Sequence, residues 1–135
     1  MNREIEYRGF DSREWRYGDL EYNRKDDVAR IHTYNEDGSY NKQYLVDPYT
    51  VCEFTGMTDK HGVKIFEGDI VRIYDSDYEE YSDQQVKFAH GVFGVDNWTK
   101  KTLTTLSFFL TGGDSEYSVE VIGNRYDNPE LLAAK

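Results

Sequence analysis

Cysteine, proline and long apolar runs are scarce in this sequence of 135 residues, which has one Cys and two Pro. The lone Cys52 cannot form an intramolecular disulfide, which fits a reducing compartment, and its alternating context TVCEF predicts a buried structural thiol. No run of about 18 apolar residues occurs, so we expect no membrane-spanning segment. The charged start MNREIEYRGF lacks the apolar core of a secretion signal. These absences predict a folded cytoplasmic protein.

Positive charge is also scarce, because 16 Lys and Arg residues stand against 26 Asp and Glu residues, for a formal net charge of −10. Proteins bind nucleic acid largely by neutralising phosphates with Lys and Arg, so this balance disfavours nucleic-acid binding. Four arginines near the N-terminus alternate with carboxylates, which predicts a mixed, solvated surface: Arg3, Arg8, Arg13 and Arg16. The acidic excess is greatest in DSDYEEYSD (75–83), where five carboxylates without a cation predict a mobile loop.

Aromatic residues are abundant, with 12 Tyr, 7 Phe and 2 Trp, and they can build a core in spite of the high charge. Apolar residues alternate with a period of two through most of the chain, which indicates strands. The predicted strands are 4–10, 13–20, 28–34, 43–46, 50–56, 63–68, 69–75, 84–89, 91–97, 103–111 and 117–123. Clusters of Asn, Asp and Gly predict the turns NEDGS (35–39), TDKHG (58–62), AHG (89–91) and TGGD (111–114). We therefore expect a mainly β protein with a small antiparallel barrel-like architecture.

Evidence for helices is limited to two segments. The ending NPELLAAK (128–135) predicts a short C-terminal helical turn, with Asn128 as N-cap, Pro129 at the first helical position and Glu130 in the first turn. The segment RKDDVARI (24–31) is open to a helical interpretation beside the strand predicted from residue 28.

The densest pattern is FTGMTDKHGVKIFEGDIVRIY (54–74), which predicts three strands joined by two tight turns. Asp59 and Gly62 bracket the first turn, since Asp bonds nearby backbone N–H groups and Gly tolerates left-handed geometry. Glu67, Gly68 and Asp69 reverse the chain at the second turn. A Gly-Asp pair followed by alternating β-branched residues also begins the first strand of many SH3-like barrels.

This segment resembles the signature of the YopX-like family of phage and prophage proteins. Three further segments resemble the family in the same order: EYRGFD (6–11), WRYGDL (15–20) and VIGNRYDNPELL (121–132). Because the resemblance covers nearly the whole chain, we expect a single domain over residues 1–135, with a subdivision into 1–56 and 57–135 left open.

The resemblance implies a mainly β protein with an SH3-like or otherwise barrel-like C-terminal part, encoded by a phage or prophage. It supplies no catalytic residue. The shared positions are mostly of the kind that shape turns and caps, so we expect them to maintain the fold: Gly56, Asp59, Gly62, Ile65, Glu67, Gly68, Asp69, Gly123, Asn124, Asn128, Pro129 and Glu130. A binding role stays open for Glu67, Asp69 and Asn124, because each carries a polar group.

Motifs for chemistry are missing from the sequence. The run beginning at Asp75 imitates a calcium loop, but Glu80 replaces its glycine and Val86 its final glutamate, so at most an irregular Ca²⁺ or Mg²⁺ site remains. The three histidines lie 29 residues apart in each step and give no support for zinc. Neither a nucleophile elbow nor a phosphate-binding glycine loop occurs. We therefore expect no cofactor, no metal centre and no catalytic residue.

Tyrosines near the acidic segment favour a protein interface, since Tyr provides contact area at a small entropic cost. The leading hypothesis is a non-enzymatic protein-interaction module, which binds an unidentified protein and uses residues of the acidic segment: Asp75, Asp77, Tyr78, Glu79, Glu80 and Tyr81. Two alternatives stay open: a barrel face that stacks nucleic-acid bases, and an acidic DNA mimic that inhibits a host nucleic-acid enzyme. Self-association is left open as well, because strand edges must be paired or protected.

Overall fold

The chain folds into two compact units, Met1–Phe54 and Thr55–Lys135, in a computed structural model that describes residues 3–96, 102–110 and 116–133. The division falls close to the boundary between residues 56 and 57 that the sequence suggested. Antiparallel strands dominate both units, and a short helix lies near the C-terminus, so the mainly β prediction is confirmed. The SH3-like form of the C-terminal part stays a prediction. Within the described ranges, no helix is long and apolar enough to cross a membrane.

The first unit is an antiparallel sheet in the order β4-β3-β2-β1-β5. Its elements are β1 (Tyr7–Phe10), β2 (Trp15–Asn23), β3 (Val28–Tyr34), β4 (Tyr40–Val46), a 3₁₀ turn (Pro48–Thr50) and the beginning of β5 (Cys52–Thr58). Alternation along β3 places Ala29 and Ile31 on the same face as Val46, and these three residues form the buried core with Leu20 and Tyr44 packed against them. Cys52 is buried, as its alternating context predicted.

A hairpin turn occupies the segment for which a helix was left open. Residues 24–27 connect β2 to β3, where the Asn23 side chain accepts a hydrogen bond from the Asp26 N–H and Asp27 adopts a positive φ of 53°. The helical interpretation of RKDDVARI is therefore wrong, because side-chain capping of a four-residue loop satisfies the backbone there and the apolar residues after it alternate with a period of two.

The N-terminal arginines are not uniformly solvated. Arg8 is buried, and its guanidinium lies 4.7 Å from the centre of the Trp15 ring. Arg16 lies over the Tyr44 ring at 3.8 Å and bonds the Asp11 carboxylate at 2.7 Å. The prediction of a mixed, solvated surface is wrong for Arg8, because a guanidinium stacks favourably on an aromatic face.

The second unit contains two three-stranded sheets, in the orders β12-β7-β8 and β11-β10-β9. After the end of β5 its elements are β6 (Lys64–Phe66), β7 (Asp69–Asp75), β8 (Glu80–Gln85), β9 (Lys87–Ala89), β10 (Val92–Asp96), β11 (Leu103–Thr105), α1 (Leu106–Leu110), β12 (Tyr117–Asn124) and α2 (Glu130–Ala133). Its buried core consists of apolar residues from five of these elements and one connection: Ile65, Val71, Ile73, Val86, Val95, Leu106 and Val119.

One predicted strand of this unit is half helical. The strand predicted over 103–111 ends at Thr105, and α1 follows at once. Leu106 is buried, and Phe109 and Leu110 pack against the same core, which is the i, i+3, i+4 spacing of one helical face. The run LSFFL is apolar at four of five positions, so it carries little information about its period. The predicted TGGD turn (111–114) and the last residues of segments 91–97, 103–111 and 128–135 lie outside the described residues.

Candidate functional site

The acidic segment 75–83 forms the tip and one strand of a β-hairpin. Asp75 ends β7 and pairs with Glu80 at the beginning of β8, and residues 76–79 form the turn between them. The turn is held by the Asp77 N–H, which donates to Asp75 Oδ1 at 3.0 Å, and by the Ser76 N–H, which donates to the Glu116 carbonyl at 2.8 Å. The prediction of a loop is therefore wrong for residues 80–83, because they belong to β8 and pair with β7 in spite of their charge.

The cation that the acidic segment lacks comes from the neighbouring strand. Arg72 of β7 stands opposite Asp83 of β8, and its guanidinium donates to both carboxylate oxygens, at 2.8 and 3.1 Å. The hydrogen bond to Asp83 raises the pKa of the Arg72 guanidinium above its ordinary value. The same guanidinium lies 4.4 Å from the centre of the Tyr81 ring. A bidentate pair with a stacked aromatic ring fixes the geometry of β8 more firmly than an ordinary surface ion pair does.

A groove of about 680 Å³ runs beside this hairpin. Every residue of β8 lines it, together with residues from β7, β9, β10, β11, α1, β12 and α2. The charged side chains on its walls are four carboxylates and one ammonium group: Asp75, Glu80, Asp83, Asp96 and Lys87. The ammonium of Lys87 is bound to Asp96 at 3.0 Å. Apolar and aromatic side chains also line it, beside uncharged polar ones: Ile73, Val95, Phe109, Tyr117 and Leu132.

Three carboxylates also meet at the end of the hairpin. One oxygen from each of Asp75, Asp77 and Glu116 lies within 4.8 Å of the others. Contact with the Asp77 carboxylate raises the pKa of Glu116, first through a shared hydrogen bond and then through repulsion, with a smaller contribution from Asp75. These are the side chains that could hold a divalent cation, although Asp77 and Glu116 are exposed to solvent. Glu116 lies far from the acidic segment in sequence, so spacing gave no signal for it.

Only some residues of the predicted interaction loop line the groove. Asp75, Glu80 and Tyr81 line it, whereas residues 77–79 lie in the turn beyond it. Tyr78 and Tyr81 are strongly exposed, at 76% and 62% of their surface. Sequence reasoning missed Asp96 and Phe109, which come from segments without a motif, and gave no binding role to Leu132 at the end of the 121–132 segment.

Among the predicted motif residues, Asp59 is a buried hydrogen-bond acceptor within the second unit. Its Oδ1 accepts from the N–H groups of His61 and Val63 at 2.8 and 2.9 Å, and its Oδ2 accepts from the N–H of Val121 in β12 at 2.9 Å. Burial raises the pKa of Asp59, but these three donors outweigh it and leave the pKa below its usual value. Asp59 therefore ties the β5–β6 turn to β12.

Asp69 and Asn124 make the same kind of bond at the paired ends of β7 and β12. Asp69 is 2% exposed and accepts from the Phe66 N–H at 2.8 Å, which closes the turn through Glu67 and Gly68. Asn124 Oδ1 accepts from the N–H groups of Tyr126 and Asp127 at 3.0 and 2.9 Å. Both residues are thus engaged with the backbone of neighbouring turns.

The motif glycines occupy positions that other residues fill poorly. Gly56, Gly62 and Gly68 have φ angles of 87°, 80° and 87°, in the left-handed region that costs a side chain about 1–2 kcal/mol. Gly123 is different, because a Cβ there would lie 2.5 Å from Oδ1 of Asn128. Ile65 belongs to the core.

The C-terminal ending departs from the predicted capping. The helix α2 begins at Glu130, and the Asn128 carbonyl accepts from the Leu131 N–H. The Asn128 side chain does not cap α2, because its Oδ1 accepts instead from the Asn124 N–H at 3.2 Å. Asn128 therefore closes the turn after β12, and Pro129 directly precedes the helix.

Comparison with known proteins settles the family. The family model described as YopX protein matches residues 6–133. The chain belongs to the YopX family.

Individual YopX relatives agree with this assignment. The SPbeta prophage-derived uncharacterized protein YopX of Bacillus subtilis (strain 168) is 38% identical over 71 residues, so that the match spans 53% of this chain and about half, 52%, of that protein. The crystal structure of protein yopX from Bacillus subtilis is similar with a TM-score of 0.60 and 27% identity, over 94% of this chain and 97% of that one. Protein EF1440 from Enterococcus faecalis shares the fold with a TM-score of 0.63 at 23% identity, over 97% and 99% of the two chains.

The two segments that carry most of the YopX resemblance lie side by side in the structure. Asp69 pairs with Asn124 and Ile70 with Gly123. The strand β7, at the end of the 54–74 segment, is therefore paired with β12, whose last residues begin the 121–132 segment. Backbone bonds from Lys60 to the Val119 carbonyl and from Arg125 to the Gly68 carbonyl join their turns. The polar groups of the YopX motif thus form a hydrogen-bonded framework, and Asp59, Asp69 and Asn124 do not line the groove.

Proposed function

We propose that this YopX-family chain is a non-enzymatic protein-interaction module of phage or prophage origin, and that it binds a basic partner protein at the groove beside β8. The observation that carries the proposal is the charge of that groove. Four carboxylates line it; Lys87 is bound to Asp96 and Arg72 of β7 is bound to Asp83, so the negative excess of the groove comes from Asp75 and Glu80. A concave surface lined by charge of one sign concentrates its field and attracts oppositely charged partners.

The apolar part of the groove supports a protein partner over a simple ion. Phe109, Tyr117 and Leu132 are half-buried and offer surface that a protein side chain can bury. Tyr81 adds an exposed aromatic ring at the rim, held in place by the Arg72 guanidinium. Such a rigid aromatic residue beside apolar surface is typical of residues that dominate binding energy at protein interfaces.

The non-enzymatic part of the proposal rests on what the polar motif residues already do. Asp59, Asp69 and Asn124 each bind backbone N–H groups of nearby turns, at distances of 2.8 to 3.0 Å. Three backbone donors hold Asp59 in its ionised form, and its lowered pKa makes Asp59 a poor general base near neutral pH.

The charge of the groove bears on the two alternative functions, a nucleic-acid-binding face and an acidic DNA mimic. Direct binding of nucleic acid to this surface is disfavoured, because its carboxylates would repel phosphates. An acidic DNA mimic would use the same surface and would differ only in its partner, which would be a basic nucleic-acid enzyme. Identification of the partner therefore separates the mimic from other interaction modules.

Site-specific photo-crosslinking tests the proposal. Benzoylphenylalanine replaces Tyr81 in one protein and Tyr49, an exposed tyrosine of the first unit, in the control. Both proteins are irradiated in a Bacillus subtilis lysate. We expect a discrete crosslinked band from position 81 alone, weakened by Glu80→Lys and by high salt, because salt screens exposed charges. No band from position 81, or the same bands from both positions, would refute binding at the groove.

A further inference from the structure

The strand β8 lies at the edge of its sheet. In the order β12-β7-β8, only β7 pairs with it among the residues that the structure describes. All six residues from Glu80 to Gln85 line the groove, although successive side chains of a strand point to opposite faces. A groove lined by six consecutive strand residues follows the edge of the backbone, so the outer main-chain groups of β8 face it.

Hydrogen bonding at the end of the strand shows which main-chain groups these are. The Val86 N–H donates to the Asp69 carbonyl at 2.8 Å, so Val86 turns its main chain toward β7. In an antiparallel pair this orientation alternates, and the register of β7 and β8 has no shift between Ile70–Gln85 and Asp75–Glu80. Glu80, Ser82 and Gln84 therefore turn toward β7, whereas the N–H and C=O of Tyr81 point to the groove.

We propose that an extended Lys- or Arg-bearing segment of the partner protein pairs with the outer edge of β8 as an additional strand. This inference rests on the proposed function and specifies how the partner is held. Strand addition to an exposed edge uses main-chain hydrogen bonds for affinity and alternate side chains for specificity. The groove offers both, since carboxylates and apolar side chains line the space beside the same edge.

Charge decides the chemistry of the added segment. Asp75 and Glu80 stand directly opposite each other at the turn end of the hairpin, and Asp96 also lines the groove. A segment with cationic side chains on one face meets these carboxylates, and aliphatic side chains on its other face reach the half-buried apolar side chains of Phe109 and Leu132. An acidic or a nucleic-acid strand would meet only repulsion here.

The direct test uses ¹⁵N-labelled full-length protein and a nine-residue peptide of alternating lysine and valine. On peptide binding we expect slower hydrogen exchange at the Tyr81 amide, which gains an acceptor, and no change at the Ser82 amide, which already faces β7. The matched control peptide has the same sequence with N-methyl groups on alternate amides. It keeps the charge and loses main-chain donors, so it should bind about tenfold more weakly or worse.

A pair of variants checks the result from the protein side. Tyr81→Ala removes the ring and keeps the amide, whereas Tyr81→Pro also removes the outward N–H without taking a donor from the β7 ladder. Peptide affinity should fall further in Tyr81→Pro than in Tyr81→Ala. Circular dichroism of both variants confirms that they stay folded.

The outcomes separate this inference from the proposed function. Equal binding of both peptides without protection of Tyr81 overturns strand addition, and a position-81 crosslink would then still support the interaction module. Protection of Tyr81 that depends on protein concentration without peptide identifies a second copy of this chain as the occupant and overturns the inference. Failure of both the peptides and the crosslink removes the two proposals together.

Discussion

Replacement of Asp59 by alanine should destabilise the second unit by about 4–5 kcal/mol. The side chain accepts three backbone N–H groups at 2.8 to 2.9 Å and is 6% exposed. A net contribution of about 1 kcal/mol for each bond gives about 3 kcal/mol. The Val121 N–H is part-buried and loses its acceptor, which adds about 1–2 kcal/mol. Because a domain is stable by only about 5–15 kcal/mol, the effect is large.

Asp59→Asn distinguishes the bonds that Oδ1 accepts from His61 and Val63 from the bond that Oδ2 accepts from Val121. The amide oxygen can still accept from His61 and Val63, but its NH₂ group then faces the Val121 N–H, and donor meets donor. We expect a loss of about 1–2 kcal/mol, between the wild type and Asp59→Ala. The matched control is Asp37→Ala in the first unit, which removes an exposed carboxylate that accepts from the Ser39 N–H and hydroxyl. Its effect should be much smaller.

Urea unfolding followed by circular dichroism measures these differences, and hydrogen exchange at Val119 and Ile73 reports on the second unit by itself. The lowered pKa of Asp59 adds a pH signature. Stability that derives from ionised Asp59 is present above the unfolded pKa of about 3.9 and is lost as pH falls through the lower folded pKa. The gap between wild type and Asp59→Asn should therefore narrow in acid. Equal effects of Asp59→Ala and Asp37→Ala would refute the reasoning.

Three further predictions concern local geometry. Hydrogen bonds from the Glu14 N–H and, second, from the Arg16 side chain lower the pKa of Asp11 to about 2. A carboxyl NMR titration should find the Asp11 pKa near that value in the wild type and higher in Arg16→Gln. The same unshifted Asp11 pKa in both proteins would contradict this. Gly62→Ala should lower the free energy of unfolding by about 1–2 kcal/mol, because φ is 80° at this position. Gly62→Asn should lower it less, since Asn adopts left-handed geometry more readily. A lower melting temperature for Gly62→Asn than for Gly62→Ala would argue against backbone strain. Asp77→Asn should bring the raised pKa of Glu116 back toward its usual value, and an unchanged titration would show that Asp77 is not its cause.

The fold was predictable where the sequence alternates. The segment VARIHTY (28–34) became β3 and DIVRIYD (69–75) became β7 with the predicted bounds, because a half-buried strand must alternate apolar and polar residues. Alternation identifies two faces but does not say which one is covered. Phe88 lies in the predicted strand 84–89 and is 51% exposed, paired across β9 and β10 with Phe93 at 4.8 Å between ring centres.

The candidate site was only partly predictable for a different reason. The run from Asp75 to Tyr81 drew attention through its composition, but the partner of Asp83 is Arg72, and only the register of the hairpin brings them together. Asp96 and Phe109 reach the groove from segments with no motif of their own. A groove is formed by tertiary packing, and local patterns carry no information about which distant segments will meet.

Polar residues serve two distinct purposes in the second unit. Asp59 and Asn124 satisfy backbone groups, so their burial stabilises the fold that carries them. Asp75 and Glu80 do the reverse, because like charges directly opposite each other on paired strands are destabilising. A surface that served only solubility could spread these charges among its turns. Their concentration beside an open strand edge lowers the stability of the free hairpin, and a cationic segment bound there would remove that repulsion. The same two carboxylates thus weaken the free hairpin and favour a basic strand as its partner.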